Sequence, residues 1–147
     1  MIEAMDMAKA AFENNEVPLG AIVVHNEEII GRGFNQVIEK SSISSHAEIN
    51  AINHASQFIK NYRLKGCDIY VTLEPCHMCA KAIVDARINH LYFGAHEPKT
   101  GAIESIDQFF DRAHLNHKVL FSGGHLQEQS SNLLRKFFKS KREQKIS

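Results

Sequence analysis

Short apolar runs alternate with longer amphipathic stretches along most of the chain, a pattern that predicts strands taking turns with helices. Apolar residues at 21–24 and 29–34, separated by a polar turn at 25–28, predict a β-hairpin. Further strands are predicted at 68–73, 88–94 and 118–122, and two glycines at 123–124 end the last of them. The pattern therefore predicts about five strands.

Four stretches have the spacing of helices with one apolar face. A first helix is predicted at 2–15, a second at 47 to about 58, a third at 76–87 and a fourth at about 126–141. Pro75 suits the first turn of the third helix. Strands that alternate with helices need crossover connections, which place helices over a sheet. The predicted fold is therefore a three-layered α/β arrangement, in one domain spanning residues 1–147.

The composition fits a folded domain and excludes several other classes. With 147 residues the chain is long enough to bury a core. It has no apolar run long enough to span a membrane, and its first residues lack the basic-then-apolar shape of a secretory signal. We therefore expect a soluble cytoplasmic protein.

The three cysteines are a poor disulfide framework, because an odd and sparse count in a cytosolic chain is more typical of metal or redox chemistry. Two of them lie in a C-x-x-C motif, and Cys67 stands alone at the start of a predicted strand. We expect Cys67 to be a small buried apolar residue.

The formal net charge of zero gives no sign of a nucleic-acid partner, but the C-terminus is locally basic. The cations that crowd it are Arg135, Lys136, Lys139, Lys141, Arg142 and Lys145. Such a cluster can contact phosphates. Cations also suit the C-terminal end of a solvated helix, so charge alone leaves both interpretations open.

The candidate chemistry lies in two short motifs, H-A-E and P-C-H-M-C. Their residues His46, Cys76 and Cys79 are nitrogen and sulfur donors suited to zinc. Three protein ligands with an open fourth position are typical of a catalytic zinc. Glu48 is a carboxylate that the metal does not need. A zinc-bound water beside a spare carboxylate indicates hydrolysis.

The predicted helices explain how these residues meet. His46 and Glu48 fall where the second helix begins, and the two cysteines fall where the third begins. Residues i and i+3 of a helix share a face, so Cys76 and Cys79 can bind one ion. Helix N-termini also lower thiol pKa values, which favours the thiolates that zinc requires.

Other roles of the C-x-x-C motif fit less well. A redox dithiol leaves the H-A-E motif unexplained, and haem attachment needs a histidine where this chain has Ala80. A structural zinc site takes a fourth ligand, for which His90 or His96 is available. His77, between the cysteines, is expected to point away from the metal, and the remaining histidines are expected to be ordinary surface or core residues.

Several longer segments extend the pattern beyond the metal donors. They are E-V-P-L-G-A-I-V-V at 16–24, Asn35, N-Y-R-L at 61–64, T-L-E-P-C-H-M-C at 72–79, R-I at 87–88, F-G-A at 93–95, K-T-G-A at 99–102, N-H at 116–117 and F-F at 137–138. Together they resemble the bacterial tRNA-specific adenosine deaminases, within the cytidine deaminase superfamily. The resemblance covers almost the whole chain and is more specific than the metal motifs, which guanine and cytosine deaminases share.

The resemblance implies a cytidine deaminase-like α/β/α fold, with a mixed sheet and helices on both faces. It implies a homodimer with one Zn²⁺ per subunit. The implied reaction is the hydrolytic deamination of the wobble adenosine in a tRNA anticodon loop, which yields inosine and ammonia. The implied residue roles are zinc ligation by His46, Cys76 and Cys79, proton transfer by Glu48, and substrate contact by Asn35, His46 and Glu97.

The sequence also departs from the family pattern. The residues S-S-I-S-S at 41–45 replace the usual approach to the metal histidine, and Glu97 is one methylene longer than the aspartate frequent there. Lys81 and His96 stand where glycine and arginine are expected. These departures leave the zinc chemistry in place and are expected to affect loop rigidity and anticodon contacts.

Two other functions fit the same motifs. A free-base or nucleoside deaminase of the guanine or cytosine type would use the same zinc site. A zinc-stabilised RNA-binding module without catalysis would have a fourth protein ligand in place of a bound water.

Overall fold

A computed structural model describes residues 1–146 and the side chains of residues 1–144, so the side chain of Lys145 lies outside the described part. Within that part the helices and strands follow the predicted order. They are α1 (Ile2–Glu13), β1 (Gly20–His25), β2 (Glu28–Phe34), α2 (Ala47–Ile59), β3 (Cys67–Leu73), α3 (His77–Asp85), β4 (His90–Ala95), β5 (Leu120–Ser122) and α4 (Gln127–Ile146).

The strands form one mixed sheet in the order β2-β1-β3-β4-β5. β1 pairs antiparallel with β2 and with β3, whereas β3–β4 and β4–β5 are parallel pairs. Strands β2, β3 and β4 therefore all run in the same direction, and their carboxyl ends lie at one edge of the sheet. The connections from β2 to α2 and from β3 to α3 begin at that edge.

The helices cover both faces of the sheet. Gly20 of β1 packs against the backbone of Ala4 and Ala8 in α1, and Gly33 of β2 packs against Ala51 in α2. Because Gly33 pairs with the residue after Gly20, the two glycines point to opposite faces. α4 lies on the α1 face and α3 packs beside α2. The predicted three-layer α/β/α fold is confirmed.

The core lies mainly between the sheet and the helices α2 and α3. The central strands β3 and β4 contribute Ile69, Val71, Leu91 and Phe93, all almost fully buried. Cys67 is also buried at the start of β3, as the sequence predicts. None of the described helices is long and apolar enough to cross a membrane.

Some predicted boundaries are wrong. The third helix begins at His77 rather than Cys76, because Cys76 has an extended backbone, and it ends before Arg87, whose φ of 63° is left-handed. The last helix continues to Ile146, beyond the predicted residue 141. A short 3₁₀ helix at Phe109–Asp111 was not predicted.

Candidate active site

The three predicted metal donors lie together where α2 and α3 begin. His46 is the residue before α2, and Cys76 is the residue before α3, each with an extended backbone. Cys79 follows in the first turn of α3. One donor atom from each residue lies within 4.8 Å of the other two. The positions just before a helix and three residues later face each other, which explains why the C-x-x-C spacing brings both sulfurs to one point.

The separations of the donor atoms fit a tetrahedral ion. His46 Nδ1 lies 3.8 Å from Cys76 Sγ and 3.5 Å from Cys79 Sγ. Zinc bond lengths of about 2.3 Å to sulfur and about 2.0 Å to nitrogen place tetrahedral donors roughly 3.5 Å apart. The donor set and its spacing therefore suit zinc without rearrangement.

The ionisation of the two thiols also favours a bound cation. The hydrogen bond from Cys79 lowers the pKa of the Cys76 thiol to about 4, and His46 adds to this effect. The same contact with Cys76, together with burial, raises the pKa of the Cys79 thiol. The second proton is therefore costly to remove unless a metal ion supplies positive charge between the sulfurs.

Glu48 lies beside this group in the first turn of α2 but does not belong to the three donors. Its side chain is almost fully buried, and Oε1 has no hydrogen-bond partner among the described residues. Burial raises the pKa of the Glu48 carboxyl above its ordinary value. A buried carboxyl with a free oxygen and a raised pKa is suited to accepting and returning a proton.

A small cavity of about 80 Å³ opens at the donor group. Its lining residues are Leu19, His46, Glu48, Val71, Leu73, Glu74, Cys76 and Thr100. Asn35 lies next to it, since its backbone N–H donates to the carbonyl of Leu19. The Asn35 side chain is buried, and its Oδ1 has no partner among the described residues. Asn35 thus has a buried acceptor without a partner and is bonded through its backbone to Leu19 of the cavity lining.

Glu97 is in a different position. Its Oε1 accepts a hydrogen bond from the backbone N–H of Lys99 at 2.9 Å, within a turn after β4. Its own backbone N–H donates to Glu74. Glu97 does not line the cavity, and the structure does not test its predicted contact with RNA.

The other histidines do not complete the donor group. His77 bonds to Asp107 and points away from the sulfurs, as expected. His96 contacts Gln127 and Glu104, and His90 stacks on Tyr92. Among the described residues, neither His90 nor His96 joins the group as a fourth ligand. The fourth position of a tetrahedral ion at this group is therefore not filled by a described side chain, and the cavity opens beside it.

Comparison with known proteins decides the family. A sequence model of the MafB19-like deaminases matches residues 1–142. The tRNA-specific adenosine deaminase of Haemophilus influenzae is 45% identical over 143 residues, which are 97% of this chain and 83% of that protein. The chain belongs to the tRNA-specific adenosine deaminase family.

Solved structures agree with this assignment. One from a study of A-to-I editing by tRNA:A34 deaminases at the wobble position matches this deaminase with a TM-score of 0.87 and 42% identity, over 89% of this chain and 95% of that one. A guanine deaminase of Nitrosomonas europaea matches with a TM-score of 0.76 at 21% identity, over 92% of this chain and 80% of that one. At that identity the second similarity concerns the fold alone.

The departures from the family pattern lie around the site of the deaminase. Residues 41–45 form a turn that leads directly into His46, whose N–H donates to the carbonyl of Ser44 at 2.8 Å. Lys81 pairs with Asp85 on the exposed side of α3. These residues, like His96, leave the three donors unchanged.

Two buried carboxylates of the deaminase, to which the sequence analysis gave no role, hold loops beside the site. Glu16 accepts hydrogen bonds from the backbone N–H groups of Ile38 and Glu39, in the loop before His46. Glu74 accepts several from the loop after β4. Burial opposes ionisation of Glu74, but these N–H groups outweigh it and lower the pKa of the carboxyl. An acidic residue directly between an apolar strand and a metal motif was the available signal.

Proposed function

We propose that this deaminase converts the wobble adenosine of a tRNA anticodon loop to inosine in the cytoplasm and releases ammonia. The observation that carries the proposal is the three-donor group with an open fourth direction beside a buried, unpartnered carboxylate oxygen. The family relationship supports adenosine in tRNA as the substrate, because the chain is 45% identical to a protein of that name.

His46, Cys76 and Cys79 would hold one Zn²⁺ per subunit. A zinc ion bound there supplies a water whose pKa is lowered towards about 7, which makes hydroxide available at neutral pH. The two cysteines and the histidine would hold the ion in a fixed position beside the cavity, since all three belong to the starts of helices packed on the sheet.

Glu48 moves the protons of the reaction. Glu48 lines the cavity, where its carboxylate would take one proton from the attacking water and give it to N1 of the adenine. It would then pass the second proton of that water to the amine, so that the C6–N bond breaks, ammonia leaves and the oxygen remains as the C6 carbonyl of inosine. Burial keeps this carboxyl away from bulk water, so the proton stays between the two reactants.

Asn35 orients the nucleoside. Its buried Oδ1 is unpartnered, and its backbone bonds to Leu19 of the cavity lining, so Oδ1 would accept a hydrogen bond from the flipped nucleoside without breaking an existing one. A single-stranded anticodon loop provides a base that is cheap to unstack.

The basic surface of α4 would contact the tRNA backbone. Its described cations are Arg135, Lys136, Lys139, Lys141 and Arg142. Phe138 between them is 46% exposed and offers a ring for stacking. Cations and an exposed aromatic on one helix suit an RNA partner better than a solvated helix end alone.

A homodimer is also proposed. Large apolar side chains are exposed on α2, α3 and the segments beside them: Phe58, Ile59, Tyr62, Met78 and Ile106. Exposed apolar side chains that join into one patch are typical of an interface between subunits. The partner subunit is expected to cover part of it.

The test is a substrate comparison with the zinc-loaded protein. It is incubated separately with a tRNA that carries adenosine at the wobble position, with guanine, with cytosine and with cytidine, while inosine and ammonia are measured. Inosine in the tRNA and no ammonia from the other substrates is the expected result. Ammonia from guanine or cytosine without deamination of the tRNA would replace the proposal with the free-base deaminase.

A further inference from the structure

Glu74 is a buried carboxylate that the proposed chemistry does not use. It follows the last residue of β3 and precedes Pro75 and the metal donor Cys76, and its exposed fraction is 2%. A carboxylate buried to this extent is costly unless its oxygens are hydrogen-bonded. Its partners therefore show what it does.

All the hydrogen bonds that the Glu74 carboxylate accepts come from one segment, residues 97–105, which we name the 97–105 loop. Oε1 accepts from the backbone N–H of Glu97 at 3.0 Å and from the Ser105 hydroxyl. Oε2 accepts from the backbone N–H groups of Ile103 at 3.0 Å, Glu104 at 2.8 Å and Ser105 at 3.0 Å. The carboxylate thus joins both ends of the loop at a single point.

The centre of the loop fits closely against the same carboxylate. A Cβ added to Gly101 would lie 2.3 Å from Cδ of Glu74, so only glycine leaves room for it. The N–H of Gly101 donates to the carbonyl of Glu97, and the N–H of Ala102 donates to the carbonyl of Pro75, each at 2.9 Å. The shape of the loop is therefore set by backbone groups around Glu74.

The loop supplies one wall of the cavity. Thr100 precedes Gly101 and lines the cavity together with Glu74 itself, as do His46 and Glu48. We propose that Glu74 is a positioning residue that holds Thr100 at the mouth of the cavity and so sets the affinity of the site for the nucleoside. This inference rests on the proposed function.

A carboxylate is required here, because every partner donates. The amide of Glu74→Gln keeps one accepting oxygen and gains an NH₂ group. If the NH₂ group faced Ile103, Glu104 and Ser105, it would meet three backbone N–H donors. The NH₂ group is therefore expected to take the position of Oε1, where the Ser105 hydroxyl can accept a hydrogen bond instead of donating one. The N–H of Glu97 then loses its partner. The substitution is therefore expected to loosen the end of the loop that leads to Thr100.

The experiment compares three variants with the wild type. Glu74→Gln changes the carboxylate, and Gly101→Ala displaces it without altering its chemistry. Glu104→Gln is the matched control, because its side chain is on the exposed side of the same loop while its backbone N–H still reaches Glu74. For each, we measure zinc content, amide hydrogen exchange, and KM and kcat on an anticodon stem-loop with adenosine at the wobble position.

Glu74→Gln and Gly101→Ala are expected to keep zinc, to exchange faster at residues 97–105 than elsewhere, and to raise KM about tenfold or more, as expected for the loss of a hydrogen bond to a charged group. Their kcat should change less than their KM, and Glu104→Gln should behave as wild type. Loss of zinc in parallel with activity, or uniformly faster exchange, would overturn the proposal by showing a general structural role. An inactive wild type would instead refute the proposed function, while the exchange data would still test the loop.

Discussion

At the residue scale, Glu48 and the three donors differ in the partners that surround their polar atoms. The donors face one another, whereas Oε1 of Glu48 is buried without a partner among the described residues. A buried carboxylate in this condition destabilises the folded chain. In the proposed mechanism this cost has a use, because proton transfer needs an oxygen that is not already bonded.

Glu48→Gln removes the proton shuttle while keeping the volume of the side chain. We expect deamination to fall by about 10²–10⁴-fold, the range usual for loss of a general acid–base group. The zinc content should stay near one ion per subunit, measured by atomic absorption on the same sample. A zinc-loaded variant that still deaminates at the wild-type rate would show that another group carries the proton.

Two buried cysteines allow a test of the proposed metal site with a matched control. Cys79→Ala removes a donor and should reduce bound zinc to well below one ion per subunit. Cys67→Ala removes an equally buried sulfur at the start of β3, so it should lower the melting temperature but retain zinc. Metal analysis after dialysis distinguishes them, and near-stoichiometric zinc in Cys79→Ala would exclude this residue as a ligand.

At the element scale, the position of α2 depends on residues without side chains. A Cβ on Gly33 would lie 2.4 Å from the backbone N of Ala51 and 2.5 Å from the carbonyl oxygen of Ala47. Gly31 meets Ala51 and Ala55 in the same way. The helix that presents Glu48 therefore rests directly on the backbone of β2, and one of the two glycines, Gly33, meets it at Ala47, the residue after His46.

Gly33→Ala should push α2 outward and separate His46 from the cysteines. We expect a loss of about 1–3 kcal/mol in the free energy of unfolding, as for other overpacked sites, together with weaker zinc binding in a chelator competition. Arg32→Ala is the control, because Arg32 is exposed and points to the other face of β2. A destabilised Gly33→Ala variant with unchanged zinc affinity would disprove the coupling between helix position and metal.

The end of α4 combines one buried aromatic side chain with exposed cations. Phe137 is buried and meets Phe12 of α1 with ring centroids 5.8 Å apart, whereas most of the cations around it are exposed. The described cations are therefore at the surface rather than in the core. Their charge suits phosphate contacts.

Truncation after Ser140 removes three cations and should weaken tRNA binding. The slope of log affinity against log salt should become less steep by about 2–3, the value for that number of lost phosphate contacts. The full-length variant Lys141→Gln/Arg142→Gln separates charge from helix length and should give most of the same change. If affinity and slope were unchanged, this segment would be interpreted as a solvated helix end without a role in tRNA binding.

Element order was predictable from the sequence because apolar periodicity reports burial directly. The predicted bounds of β1, β2 and β3 lie within one residue of the observed bounds. Boundaries set by single dihedral angles were not predictable. Cys76 fits the helical spacing of the third helix, but its backbone is extended. The backbone of Arg87 is left-handed, with a φ of 63°, although no glycine in the sequence indicates this conformation.

The same limit applies to the site. The donors and Glu48 were predictable because their chemistry and spacing are local. Glu74 and Thr100 were not, since their contacts join segments about 30 residues apart. Glu97 was assigned to the RNA by resemblance, and the structure instead shows it bonded within its own turn, which leaves that role a prediction.

At the scale of the whole molecule, the direction of the strands determines where the site lies. β2, β3 and β4 end at one edge of the sheet, so the starts of α2 and α3 converge there. Ligand sites in open α/β sheets commonly occupy this edge. The exposed apolar side chains of the α2 and α3 layer lie outside it and are available for a second subunit.

The mass in solution should therefore be twice the 16.6 kDa of one chain. Burial of apolar surface between subunits is the physical reason, and light scattering over a range of protein concentrations is the measurement. A particle of 16.6 kDa at the concentrations used for the deaminase assay would show that one subunit is sufficient.

The arrangement around Glu74 has an evolutionary consequence. The 97–105 loop is held to Glu74 mainly by backbone amides, which every amino acid except proline provides, together with the Ser105 hydroxyl and the close fit of Gly101. Exposed side chains of the loop that take no part in these contacts, such as Lys99, can thus change without removing them. Selection can therefore alter the exposed surface beside the cavity while the backbone that carries it stays the same.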